Sequence, residues 1–155
     1  MSVITTVQVI GILSSGLKAG ALLGDRAGAR FARPTLSPGS FVTFQQEQMR
    51  HWEKLMPVLS SVALLSSVAW LAMLRSDIAS MRFMAVAVAV AANVASMALA
   101  VMGCLPINRK LMKWSAAAPP PDVMATWARW ERVNDMRTIL ALLAFVVLML
   151  AFATS

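Results

Sequence analysis

The sequence predicts an all-α fold: a four-helix transmembrane bundle with helical cytoplasmic extensions, forming one integral membrane domain over residues 1–155. Three observations predict it. Hydrophobic residues make up 59% of the chain and charged residues 14%, whereas an average soluble domain carries about 45–50% and about 25%. The charges are confined to short stretches between long charge-free runs. Those runs are continuous instead of alternating every second residue, which favours helices over a barrel.

The same composition excludes other classes. A chain this apolar, with a mean hydropathy of +0.70, is not disordered. Its 155 residues leave little room for several domains. Seven Gly and seven Pro without a period rule out a collagen-like or linker-rich chain. Cys104 is the single cysteine, so no internal disulfide and no Cys-based zinc site holds the fold together.

Four runs define the spans. Met1 to Leu17 is charge-free and continues past Lys18 to Gly24; Leu55 to Leu74, Phe83 to Asn108 and Thr138 to Ser155 follow. A helix needs about 20 apolar residues to cross a bilayer core, so spans are expected at about 3–24, 55–74, 83–105 and 136–153. The first lacks the positive n-region of a signal peptide, and Lys18 follows its apolar stretch, so a retained helix is expected.

Charge sets the orientation. Lys18, the first connecting segment (Arg26, Arg30, Arg33, Arg50, Lys54) and the third (Arg109, Lys110, Lys113, Arg129, Arg132, Arg137) hold twelve of the fourteen basic residues. The other side has only Arg75 and Arg82. The positive-inside rule therefore puts the first and third segments in the cytoplasm and both termini across the membrane. An excess of 14 Lys+Arg over 7 Asp+Glu would suggest nucleic acid in a soluble protein. Here the basic residues orient the chain and meet anionic lipid head groups, so lipid is the expected partner and nucleic acid is not.

The connecting segments are expected to be helical as well. After the loop from Arg33 to Ser40, Ser40 resembles a cap for a helix over Phe41 to Met56, with a bend at Pro57. On it Gln45, Gln48 and Trp52 share a face, and His51 lies one turn beyond Gln48. For Gln45 and Gln48 alone, the plainer reading is a polar helix at the membrane surface. Pro119-Pro120-Pro121-Asp122 stops one helix and starts another. From Val123 to Ala153 a helix would be about 45 Å long, so its first turns project beyond the hydrocarbon.

Trp127, Trp130, Asn134 and Arg137 form one stripe on that last helix. An aromatic belt explains the tryptophans. It explains Asn134 and Arg137 less well, because polar groups at membrane depth usually face the bundle or a cavity. Gly103-Cys104-Leu105-Pro106-Ile107-Asn108 closes the third span, and two readings of Asn108 stand: a cap for carbonyls freed by proline, or a binding group. Asn93, inside that span, needs a partner on another helix or in a pocket.

Leu105-Pro106-Ile107-Asn108, a linker, then Trp127, Trp130, Asn134, Arg137-Thr138 and an apolar tail resemble the anthrone oxygenase-like family of small four-span membrane proteins. Looser elements in front agree: Gly16-x-x-Ala19-Gly20, Phe31, Pro34, and a helix with Gln45, Gln46 and His51 leading to Met56-Pro57. The resemblance implies an integral-membrane oxygenase of polyketide biosynthesis, a monooxygenase that oxidises an anthrone to an anthraquinone with O2 and no recognised cofactor. Its characterised relatives are mostly fungal, which points to the endoplasmic reticulum.

Such chemistry asks for a base, donors to a ketone oxygen and an aromatic slot. His51 is the only side chain with an unperturbed pKa near neutrality and is the candidate base; the alternative is a surface histidine beside Arg50 and Glu53. Arg137 and Asn134 complete the candidate catalytic set, with Asn108 as a further donor to the ketone. Trp127 and Trp130 offer flat faces to a tricyclic ring, and Gln45 and Gln48 complete the candidate substrate-binding set. Glu131 and Asp135 could substitute for the base, but their spacing suits pairing with Arg132 or solvent. One His and one Cys do not make a typical metal site, so no metal is expected. Twelve scattered Met residues read as packing rather than copper ligands; a haem on His51 is not flagged by any motif. The rival function is a non-catalytic membrane protein that binds or scaffolds around a lipophilic compound. Self-association into a homo-oligomer is left open.

Overall fold

A computed structural model describes residues 2–154; Met1 and Ser155, which end the first and last charge-free runs, lie outside the described residues. The described chain is helical without strands, and four helices are long and apolar enough to cross a membrane: Val3–Thr35, Pro38–Met73, Met81–Leu111 and Val123–Ala153.

Helix α1 (Val3–Gly24) starts at Ser2, whose hydroxyl accepts from the Thr5 amide. It runs on through a wide π turn at Asp25–Ala29 and a tightened 3-10 turn at Arg33–Thr35. Helix α2 (Pro38–Met73) is capped by Ser37, which accepts from the Ser40 amide at 3.3 Å. The cap therefore sits three residues before the expected Ser40. Pro38 explains the shift, since its fixed φ suits a first helical position where no amide donor is needed. Pro57 lies inside α2 without ending it; the ring removes one donor and leaves the Glu53 carbonyl without its helical partner.

Helix α3 (Met81–Leu99), capped by Ser80, passes through a π turn at Ala100–Cys104 into the short α4 (Leu105–Leu111). Pro106 falls in the first turn of α4, where its missing donor costs little, so the chain stays helical past the expected end of the span. Helix α5 (Val123–Ala153) follows the triple-proline linker.

The four long helices form a ring in the order α2, α1, α5, α3. The α3–α5 and α1–α2 interfaces are the most extensive, and the α2–α3 seam is the slightest of the four. Small residues let the backbones approach: Ala89 and Ala92 on α3 pack with Ala144 and Ala151 on α5, around Trp70 and Leu148. A Cβ on Gly11 would stand 3.3 Å from Ser66 Cβ of α2, which shows how closely α1 and α2 meet. At the opposite end of the bundle, Phe41, Met49, Leu111, Trp127 and Trp130 make a second, aromatic cluster. The weak α2–α3 seam is where the molecule opens.

Candidate active site

A cavity of about 600 Å³ occupies the α2–α3 seam. Its walls are largely apolar, with Met49, Trp52, Met56 and Pro57 from α2 and Met97, Ala100 and Val101 from α3 and its π turn. The polar groups converge from three elements: Glu53 on α2, Asn108 and Arg109 on α4, Arg137 on α5. Cys104 and Trp130 close the inner wall. Such π turns recur at functional sites because an extra residue re-aims the helical face that follows. Here it presents Cys104, Leu105 and Asn108 to the void.

Arg137 is buried, at 7% exposure. Its Nη1 donates to Asn134 Oδ1 at 3.1 Å and touches Cys104 Sγ at 3.5 Å, while Nε has no partner. No carboxylate pairs with it among the described residues. Asn134 does not line the cavity; it lies behind Arg137 and fixes the guanidinium. Trp130 Nε1 donates to Asn108 Oδ1 at 2.8 Å. That bond uses the Asn108 oxygen and leaves its amide nitrogen for a ligand.

Beneath this wall lies a second polar layer. Asp25 and Arg33 form a buried ion pair. Gln45 Oε1 accepts from Arg33 Nε at 3.2 Å, Gln48 Oε1 accepts from Nη2 at 3.0 Å, and Gln48 Nε2 donates to Asp25 at 2.9 Å. The Arg33 guanidinium lies over Trp127 at 5.2 Å from the ring centroid. Trp127 in turn stacks on Trp130, with centroids 4.3 Å apart and planes 15° from parallel. Arg30 holds Asp135 at 2.8 Å, and Glu131 sits between Trp127 Nε1 and the Arg30 and Arg33 guanidiniums.

The structure thus brings together Asn108, Trp130 and Arg137 of the expected set at the cavity, with Asn134 directly behind. It separates the others. Gln45, Gln48 and Trp127 belong to the Arg33 layer and do not line the cavity. Glu131 and Asp135 pair with arginines that follow α1, not with Arg132. His51 is exposed and lines no cavity wall; two residues beyond buried Met49, it stands about 200° around the helix and faces outward.

Three functional candidates escaped sequence reasoning. Glu53 reads as a surface charge until the seam exposes it to the cavity. Arg33 reads as an orienting charge, since nothing local reveals Asp25 as its partner. Lys18, 1% exposed, donates from Nζ to Asn93 Oδ1 at 3.2 Å. One signal was there for it: Gly11, Ser15, Lys18 and Leu22 follow helical spacing on one buried face of α1.

A family model described as anthrone oxygenase matches residues 49–147. The match starts at Met49 in α2, spans α3 and α4 and ends in α5 at Val147, so it holds all the residues that line the cavity. Lys18 and the Asp25–Arg33 pair precede it. No curated protein and no solved structure matches the chain. The matched stretch is well over half of the 155 residues, and the chain belongs to the anthrone oxygenase family.

Proposed function

We propose that the protein is a membrane-bound monooxygenase that oxidises an anthrone-type aromatic polyketide to its anthraquinone with O2, at the α2–α3 cavity. One observation carries the reading: buried Arg137, with an uncommitted Nε, faces an apolar space of about 600 Å³ beside Trp130 and Asn108. That volume lies within the roughly 300–1,000 Å³ of small-molecule sites, which pair apolar walls with a few placed polar groups. The positive-inside rule puts this end of the bundle at the cytoplasmic face, with both termini across the membrane, and the endoplasmic reticulum fits a substrate that partitions into lipid.

The chemistry follows from the substrate's acidity. The carbon opposite the ketone loses a proton to Glu53, the carboxylate on the cavity wall, and the charge spreads to the ketone oxygen. Arg137 and the Asn108 amide nitrogen donate to that oxygen. Preplaced donors of this kind typically contribute a few kcal/mol each, and a positioned base about 10²–10⁴-fold. The anion gives one electron to O2, and the radical and superoxide join at the carbon as a peroxide that takes up a proton. Loss of the remaining C–H proton then breaks the O–O bond, leaving the new carbonyl and one water. Anthrone plus O2 becomes anthraquinone plus water, and all electrons come from the substrate and its oxidant. Trp130 offers one face to the ring system.

The test incubates membranes containing the protein with emodin anthrone under ¹⁸O2 and follows quinone formation. Formation faster than in empty membranes, with one labelled oxygen in the new carbonyl, is the expected result. Rates equal to empty membranes, with the compound still bound, would leave the non-catalytic binding reading instead.

A further inference from the structure

The charge inside the bundle is unbalanced. Lys18 on α1 and Arg137 on α5 are both buried, and neither meets a carboxylate among the described residues. The two cations share α3. Asn93 accepts from Lys18, and Ser96, one turn further on, donates to the Arg137 carbonyl at 3.5 Å. Donor capacity is left over throughout this layer: Arg137 Nε, Asn93 Nδ2 and the Ser15 hydroxyl have no partner. Lys18 spends one of its three N–H groups on Asn93.

The acidic residues are committed elsewhere. Asp25, Glu131 and Asp135 are held by Arg33, Arg30 and Arg26, and Glu47 by Arg50. Asp77 and Asp122 are exposed in loops at the two ends of the bundle. Only Glu53 stands near, on the exposed part of the cavity wall opposite Arg109. Uncompensated cations in a low-dielectric interior are unfavourable unless an anion joins them, and the cavity that reaches Arg137 is the route by which one can.

We infer that the cavity holds its ligand's oxygen as an aryl oxyanion, and that Lys18 is a positioning residue whose buried charge, held by Asn93 and acting through the low-dielectric bundle interior, adds to that of Arg137 in favouring the ionised form. This rests on the oxygenase reading for the identity of the ligand and deepens it. The site holds the conjugate base, formed once Glu53 has taken the proton, more tightly than the neutral ketone. The charged groups acting on the bound oxygen are Lys18 from α1, Arg137 from α5, Arg109 from α4 and, with opposite sign, Glu53 from α2. A nearby cation favours the charged form of an acid by one to three pKa units in typical sites, so two buried ones form a strong selector.

The probe is 2-hydroxyanthraquinone, which does not turn over and changes colour when its phenol ionises. It is titrated with the full chain in neutral phosphatidylcholine vesicles, against vesicles without protein. The bound probe is expected to ionise at least about one pH unit lower than in empty vesicles. Lys18→Met is expected to lose about tenfold of the preference for the phenolate, and Lys18→Arg to keep it. Lys18→Met also removes an unpaired buried charge, so its thermal unfolding temperature without ligand should be no lower than that of wild type; Lys18→Gln serves as a second neutral variant. Ionisation of the bound probe at the pH seen in empty vesicles would overturn the proposal, as would unchanged phenolate preference in both neutral variants. The two readings separate cleanly. Anthrone turnover without a shifted probe sinks the oxyanion selector alone, while a shifted, Lys18-dependent probe without turnover sinks the oxygenase alone.

Discussion

The indole nitrogen of Trp130 donates to the side-chain oxygen of Asn108 across 2.8 Å, and this single bond ties α5 to the short helix that follows the π turn. Both residues line the cavity. The bond holds the Trp130 ring edge-on to α4 and turns the Asn108 amide nitrogen away from it.

Trp130→Phe keeps an aromatic face but removes the donor. Loss of one such bond is worth about 0.5–1.5 kcal/mol, so a modest fall in thermal stability is expected. The KM for an anthrone should rise more than kcat falls, because Asn108 is no longer oriented. Steady-state kinetics beside a detergent melting curve checks this; an unchanged KM and melting temperature would remove the bond from the account.

Breaking the Asp25–Arg33 pair from one side should be far more damaging. Both groups are buried, and Arg33→Ala leaves Asp25 charged with only Gln48 for company. Removing one partner of a buried pair typically costs about 3–5 kcal/mol. Asp25→Asn with Arg33→Gln should recover a good part of that. Thermal unfolding of the two single variants and the double variant measures the coupling, and additive effects would contradict the pairing.

Glu53 and His51 should part company. Glu53→Gln is expected to lower kcat by about 10²–10⁴-fold, the usual contribution of a positioned base, with probe binding retained. His51→Gln should remain within about twofold of wild type, since an exposed surface substitution seldom perturbs a site. A dead His51→Gln with an active Glu53→Gln would restore the histidine as the base.

Cys104 gives an independent view of the cavity. It is the chain's single cysteine and is buried against the cavity wall beside Arg137. A small apolar thiol reagent that reaches it should do so more slowly when emodin is present, measured by mass spectrometry of intact protein. Equal labelling with and without emodin would place the ligand elsewhere.

The spans were legible because a bilayer demands long apolar helices, a property each run of sequence displays by itself. The stripe of Trp130, Asn134 and Arg137 was legible for a similar reason: helical spacing fixes which side chains share a face. Ser37 was missed because Pro38 starts α2 earlier than the hydrophobic pattern does. The roles of Gln45, Gln48 and Trp127 were not legible, because they depend on Arg33, brought over them by the turns after α1. Lys18 was read as an orienting charge at the end of a span. Only the Lys18–Asn93 hydrogen bond, reaching across the bundle from α1 to α3, shows that its ammonium is inside, and only the seam between α2 and α3 shows that His51 is not.

The most direct measurement is the initial rate of quinone formation from emodin anthrone under ¹⁸O2, in vesicles carrying equal amounts of inserted wild-type or Arg137→Ala protein. With Arg137 as the donor to the developing oxyanion, wild type forms labelled quinone and the variant is slower by about 10²–10³-fold. A variant as fast as wild type, at matched insertion, would contradict the site proposed for this chemistry.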